Sequence, residues 1–198
     1  MLCYICLCNF SQVILVPGFD NLILRPYKEE DASALFDVIN TNRQNLRPWL
    51  PWVDTTISEQ NSLSFIQQTQ SEAHEQKGIA LGIFLQEEII GGVGMHNWNR
   101  QLKSAEIGYW LSLQHQGKGI LHQCATAFIA YLFGQLQLNK IEVRFHPANK
   151  KSAAVAQRLH FSIEGILRDA QITNGLLHDM VVAGLLQREW RAIQHSGK

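Results

Sequence analysis

The run Gln116-Gly-Lys-Gly-Ile-Leu121 lies between an apolar stretch ending near Trp110 and Leu111 and a long apolar-periodic stretch that follows at once. A strand, a glycine turn and a helix start in that order suit a diphosphate. Glycines let successive backbone N–H groups converge, and the helix N-terminus adds partial positive charge. Lys118 adds a point charge; an ordinary strand-to-helix turn is the plain alternative. Two phosphate templates fail here. A Walker loop needs G-x-x-x-x-G-K-[ST], but Lys118 is followed by Gly119 and no upstream glycine fits. A dinucleotide fingerprint needs a third glycine where His122 stands, and Gly92-x-Gly94 fails in the same way at Asn97. Three further side chains could move protons. Glu106 stands in a strand-like run whose flanking Ala105 and Ile107 would face the other way, so its carboxylate could act as a base or pair with an Arg or Lys. His96, in "GMHNW", could act directly or through water, or be structural. Ser152, three residues after Asn149, could donate a proton or cap a helix.

The elements that must position these groups follow from periodicity and turn signals. "NLILRPY" (21–27) reads as a strand. "EEDASALFDVINTNRQNL" (29–46) opens with acids, as a first helical turn favours, and places Leu35, Val38 and Ile39 on one face. "RPWLPWVDT" breaks that helix with two prolines. Residues 58–76 resume as a second helix with Ser58 as cap, and the face "QQTQSEAHEQ" reads as solvated. "IALGIFLQEEIIGGVGMHNW" gives two strands around a polar turn at 86–88, and 104–113 gives another. Beyond the glycine turn, Leu121, Ala125, Phe128, Leu132 and Leu136 fall at helical spacing. "KIEVRFH" is β-rich and "NKKSAAVAQRLHF" a short capped helix. The remainder, through "LLQREW", reads as a hairpin turning at Asn174-Gly175. The fold class is mixed α/β, with a central mixed sheet and about four helices.

Composition sets the bounds. The 198 residues are 46% hydrophobic, which suits one domain with a sizeable core. Lys plus Arg and Asp plus Glu are 17 each, with no block of like charge, so bulk electrostatics gives no support for nucleic acid or a membrane surface as partner. The opening "MLCYICLCNFSQVILVPGFD" lacks the basic start and cleavage site of a signal peptide, and Asn9, Ser11 and Gln12 interrupt it well short of the ~20 apolar residues of a membrane span. A non-exported, cytoplasmic chain is expected, with 1–20 an extension in which "VILV" could add a strand. Cys3, Cys6 and Cys8 have no nearby histidine pair to complete a metal set, and reduced thiols are the better reading. No metal is expected.

A third template, the acetyl-CoA loop Q/R-x-x-G-x-G/A, has two registers here. Starting at Gln116 places Gly119 as the inner glycine and Leu121 where Gly or Ala is usual; starting at Gln114 ends on Gly119 without that departure. The first is preferred because the strand then ends near Leu111. "LILRPYKEEDASALFDVI", "NLRPWLPWVD", "SAEIGYWL", "QGKGI", "NKKSAAVAQRLHF" and "LLQREW" follow one another from about Asn21 to Trp190. In that order they resemble the GNAT superfamily of acetyl-CoA-dependent N-acetyltransferases, and more narrowly its RimJ/RimL-like ribosomal-protein branch. The resemblance implies a GNAT domain over 21–192 whose splayed sheet admits acetyl-CoA. Strand 106–111, ending in Trp110 and Leu111, would offer its backbone to the pantetheine. Gln116, Gly117, Lys118, Gly119, Ile120 and Leu121 would hold the pyrophosphate, Asn149 the cofactor arm, and Ser152 would lie near the thioester sulfur. His160 stands where the family has a glycine before Phe161.

Acetyl transfer needs a neutral amine, a polarised thioester carbonyl and a proton for the departing thiolate; backbone N–H groups at the splayed strand can meet the second need. An α-amine, with a pKa near 8, is already partly neutral at physiological pH, whereas neutralising a lysine costs about 3 kcal/mol more. A weak base therefore suits protein N-termini. Glu106 is the candidate base, with His96 the second candidate, and Ser152 the candidate acid; "NKKSAAVAQRLHF" holds no tyrosine that would serve better. Trp49 and Trp52 could wall a pocket for an incoming peptide or pack a helix corner. Cys124, in an apolar helix without an adjacent base, is a poor nucleophile, so direct attack in a ternary complex is expected. The expected acceptor is a protein N-terminal α-amine, and the chain a monomer or homodimer. A small-molecule amine acetyltransferase (polyamine, amino acid or drug) and a non-catalytic acyl-CoA-binding module are the rival readings.

Overall fold

The computed structural model describes residues 13–173 and 175–196. Cys3, Cys6 and Cys8 lie outside the described residues, as does Asn174 of the expected turn. Among the described residues eight strands form one sheet in the order β1-β2-β3-β4-β5-β6-β8-β7. β1 (Ile14–Leu15), β2 (Leu22–Pro26), β3 (Ile79–Leu85), β4 (Glu88–Asn99) and β5 (Ser104–Leu111) make an antiparallel run. β6 (Lys140–Phe145) joins β5 in parallel, and the return it needs is supplied by α4 (Ile120–Gly134). β7 (Ser162–Thr173) and β8 (Leu176–Leu186) form the closing hairpin, β8 lying against β6.

Alternation along the strands divides the core between two faces. Leu22, Leu24, Leu81, Ile83, Ala105 and Ile107 bury themselves with Cys124, Phe128 and Leu132 of α4, and with Ala156 of α5 (Lys150–Arg158). On the other face Phe84 and Ile89 meet Leu35 and Ile39 of α1 (Ala32–Thr41), Leu46 of α2 (Arg43–Leu46) and Ile66 of α3 (Glu59–His74). The expected mixed α/β sheet with helices on its faces is present. Beyond about four packing helices there are also the single turn α2 and a C-terminal α6 (Gln187–Ser196).

Four local expectations need correction. The helix expected over 29–46 breaks at Asn42, whose Nδ2 donates to Val38 O while its Oδ1 accepts the Leu113 N–H from 71 residues away. The strand expected over 104–113 stops at Leu111, where Ser112 turns the chain and holds His115 Nδ1 at 2.8 Å. Leu136 falls beyond the end of α4, and the buried row is Ile120, Cys124, Ala125, Phe128, Ile129, Leu132 and Phe133. "LLQREW" leaves the hairpin for α6, where Glu189 accepts the Leu186 N–H and Trp190 is buried. Ser58 does cap α3, accepting from Asn61 N–H at 3.3 Å. His160 adopts φ +62°, the left-handed conformation that makes its position suit a glycine.

Candidate active site

β5 and β6 pair only from Ser104↔Lys140 to Ile107↔Val143. β5 then runs on to Leu111 beside β4, and β6 to Phe145 beside β8. The two strands therefore part after Ile107. A cleft of about 1810 Å³ lies here, lined from Trp49 and Trp52 on one side to Gly119, Asn149 and Ser152 on the other.

The glycine turn is built as a cradle. Gly117 and Gly119 have φ of +76° and +78°, a conformation that L side chains adopt only with strain, and nothing lies within 4 Å of where a Cβ would sit on either. The first backbone bond of α4 runs from Gln123 N–H to Gly119 O, so the N–H groups ahead of it have no intrahelical partner. Gln116 fixes the turn at both ends, donating from Nε2 to Leu111 O at 2.8 Å and accepting from Lys151 Nζ at 2.7 Å. Lys118 is exposed, Ile120 is buried in the core, and Leu121 packs partly against the core while also lining the cleft. Convergent amides, open space and a local cation together fit a diphosphate.

On the face beneath α1 and α3, a polar row crosses the sheet in register: His96↔Glu106, then Glu106↔Glu142. Glu106 receives His96 Nε2 at 3.3 Å, Asn97 Nδ2 at 3.2 Å and Arg144 Nε at 3.2 Å. Burial would raise its pKa, but the hydrogen bonds from His96 and Asn97 and the charges of His96 and Arg144 outweigh that and hold it below the ordinary carboxylate range. The ion-pair partner weighed for Glu106 is present as Arg144. Because an ionised carboxylate only accepts, the His96 Nε2 facing it carries a proton.

Tyr109 projects to the opposite face of β5, and its hydroxyl stands 3.3 Å from Ser152 Oγ and 3.5 Å from Ser152 O. Burial pushes the Tyr109 phenol above its ordinary value, keeping it protonated. Ser152 is not the cap of α5. Asn149 is, with Oδ1 accepting the Ser152 N–H at 3.0 Å, which leaves Ser152 Oγ to Tyr109. Tyr109 lies on β5 rather than in α5, where strand alternation sets it opposite Glu106, and its contact with Ser152 spans 43 residues.

Trp52 packs edge-on against Trp110, with centroids 6.2 Å apart, stays 38% exposed and lines the cleft. Trp49 tilts over His146 at 5.7 Å, and His146 Nε2 meets His178 Nδ1 at 3.1 Å. The α3 face expected to be solvated is exposed at Gln67, Gln68, Gln70, Ser71, His74 and Glu75, and Gln68, Thr69 and Glu72 also line the cleft. Cys124 is fully buried, its thiol pushed up to about 12 by desolvation, which leaves it without thiolate.

Residues 21–162 match the acetyltransferase (GNAT) domain family, and the chain belongs to it. The ribosomal-protein-serine acetyltransferase of Escherichia coli (strain K12) is 30% identical over 163 residues, covering 81% of this chain and 90% of that protein. The ribosomal protein uS5-alanine N-acetyltransferase of the same organism is 29% identical over 175 residues, covering 86% and 90%. RimL, a ribosomal L7/L12 alpha-N-protein acetyltransferase solved in complex with coenzyme A, superposes with a TM-score of 0.84 at 27% identity, over 88% of this chain and 98% of that one. The chain is an acetyl-CoA-dependent N-acetyltransferase with the GNAT fold.

Proposed function

We propose that this enzyme acetylates protein N-terminal α-amines, of the kind carried by ribosomal proteins, within a domain spanning 21–192. One observation carries the choice of acceptor. Glu72 and Glu106 are the only carboxylates among the described residues lining the cleft, and Glu106 already faces Arg144. A polyamine with several cationic centres would meet too little negative charge there. One α-ammonium followed by neutral peptide matches it better, and Trp49 and Trp52 offer flat apolar surface to the residues behind. The ribosomal substrates of the E. coli relatives support the same class. The acceptor would be met in the cytoplasm, with no nucleic acid required; either a monomer or a homodimer could act.

Acetyl-CoA supplies the acetyl group as a thioester. The amides of 117–121 hold its diphosphate, Gln116 keeps their turn closed onto β5 and α5, and the backbone of Trp110 and Leu111 along the parted strand lies beside its arm. Asn149 sets the first turn of α5 so that Ser152 faces the gap. Glu106 attracts the incoming ammonium, and His96, whose imidazole is a stronger base than a carboxylate, takes its proton at Nδ1 or through one water. The neutral amine attacks directly. As the C–S bond breaks, Ser152 Oγ, backed by the Tyr109 hydroxyl, passes a proton to the leaving thiolate and regains one from water, while the nitrogen of the adduct sheds its excess proton to water and becomes the amide.

Thiol release with acetyl-CoA tests the reading, using octapeptides bearing free or blocked N-termini alongside spermidine. Turnover confined to free N-termini is expected. Faster turnover of spermidine would assign the chain to polyamines, and acetyl-CoA binding without turnover of any amine would make it a binding module.

A further inference from the structure

The rim of the acceptor side carries a pair of imidazoles that the acetyl-transfer steps do not use. His146 follows β6 directly and lines the cleft beside Trp49, while His178 lies on β8. Met180, two residues further along β8, lines the cleft, as does Gln171, the cross-strand partner of His178 on β7. Strand alternation therefore sets His178 on the cleft-facing side of the hairpin. Both rings are partly exposed.

Hydrogen bonding fixes the protons on the pair. The Ala148 N–H donates to His146 Nδ1 at 3.0 Å, and a backbone N–H can only donate. His146 Nδ1 therefore holds a lone pair, and the proton of that ring sits on Nε2. Nε2 stands 3.1 Å from His178 Nδ1, which must then accept, so the His178 proton sits on its own Nε2. Among the described residues nothing accepts from that outer N–H, and it is not sealed from solvent. The rings meet edge to face with centroids 4.9 Å apart, which holds the direction of the donor. Asn149 N–H, donating to His146 O at 2.8 Å, closes the loop that carries the first ring.

A fixed donor with an open end matches an acceptor atom on a ligand, and the Trp49 ring beside it offers flat apolar surface. A peptide carbonyl and the chain around it meet both. A protonated polyamine brings only N–H donors and would leave the His178 proton without a partner. Register gives the reach. Glu106 pairs with Glu142, and Glu142 with Gly184, six residues along β8 from His178. Those steps are roughly 10 Å across the sheet and roughly 20 Å along it, a gap that the two side chains shorten to about four to six residues of extended peptide.

We infer that His178 is a specificity-determining residue whose Nε2–H donates to a main-chain carbonyl of the acceptor several residues behind the reacting amine, with His146 as the positioning residue that orients it. The inference rests on the N-terminal reading and deepens it: the enzyme recognises an extended peptide, not an amine alone.

The experiment measures thiol release by the full chain with a dipeptide amide, an octapeptide amide sharing its first two residues, and spermidine. The dipeptide is too short to reach His178, so the ratio of the two peptide kcat/KM values reads the contact. In the wild type the octapeptide is expected to exceed the dipeptide by about threefold to tenfold or more, the worth of a hydrogen bond. In His178→Phe that ratio falls by about threefold to tenfold through a raised octapeptide KM, with the KM for acetyl-CoA held. His178→Gln, which can still present an N–H, keeps part of the ratio. His146→Phe lowers it less steeply. A wild-type ratio near one, or a ratio that survives His178→Phe, overturns this subsite while peptide turnover still supports N-terminal acetylation. An equal loss in His178→Gln and His178→Phe overturns the hydrogen bond. Turnover of spermidine without turnover of either peptide overturns the N-terminal reading and the subsite with it.

Discussion

Replacing Glu106 by Gln keeps the shape of the side chain and its contact with Asn97 but removes the charge facing His96 and Arg144. Positioned general bases contribute about 10²- to 10⁴-fold. An α-amine of pKa near 8 is roughly one-tenth neutral at pH 7 and nine-tenths neutral at pH 9. If Glu106 and His96 serve to unload the ammonium, the loss in kcat should be about 100-fold at pH 7 and should shrink about tenfold by pH 9, where the amine arrives neutral. Thiol release at saturating acetyl-CoA across this range reads it directly. The same substitution carries a stability signature. Glu106 has a lower pKa folded than unfolded, so its stabilisation is present above the ordinary carboxylate range and is lost as pH falls through the depressed value. Hydrogen bonds to charged partners contribute about 1.5–3 kcal/mol. With the Arg144 side chain 38% exposed and that of His96 52%, about 1 kcal/mol is the expected net effect. For a chain of this size that is a Tm lower by about 2–4 °C at pH 7, with the difference closing below about pH 4. A loss in kcat that is the same at every pH would refute the base role and leave Glu106 a structural ion pair.

Gly119→Ala forces a methyl-bearing residue to hold φ +78°, at a strain of about 1–2 kcal/mol, and should raise the KM for acetyl-CoA about tenfold while the peptide KM stays within twofold. Tyr109→Phe removes the hydroxyl 3.3 Å from Ser152 Oγ and should lower kcat with the KM for acetyl-CoA kept; an unchanged kcat would free Ser152 of that partner. His160→Gly relieves a left-handed backbone at an exposed position and should raise the Tm by about 2 °C, read by calorimetry.

The glycine turn and the helix behind it are legible in the chain because their determinants are local. Gly117 and Gly119 are required by their own backbone angles, α4 announces itself by helical spacing, and His160 marks a glycine position by its placement before Phe161. Glu106 could be assigned a face from its neighbours, since Ala105 and Ile107 are buried opposite it. What stayed hidden depends on contacts between distant segments. Nothing near Asn42 in the chain foretells that Leu113 will bond to it and break a helix. Arg144 reaches Glu106 only because β6 lies parallel to β5, and Tyr109 reaches Ser152 only because α5 packs back onto that strand. The polar face of α3 is exposed as its composition suggests, but that a cleft opens beside Gln68 and Glu72 depends on segments far away in the chain. The start of α6, Gln187 to Trp190, passes for the end of a hairpin because its polar run holds a lone buried anchor, Trp190.

The central claim is that the site selects an α-amine over a lysine. A peptide bearing both a free N-terminus and an internal lysine lets the two compete in one molecule, and tandem mass spectrometry after partial turnover locates the acetyl group. The account predicts acetyl on the N-terminal nitrogen and an unmodified lysine. Acetyl found chiefly on the lysine side chain would contradict it.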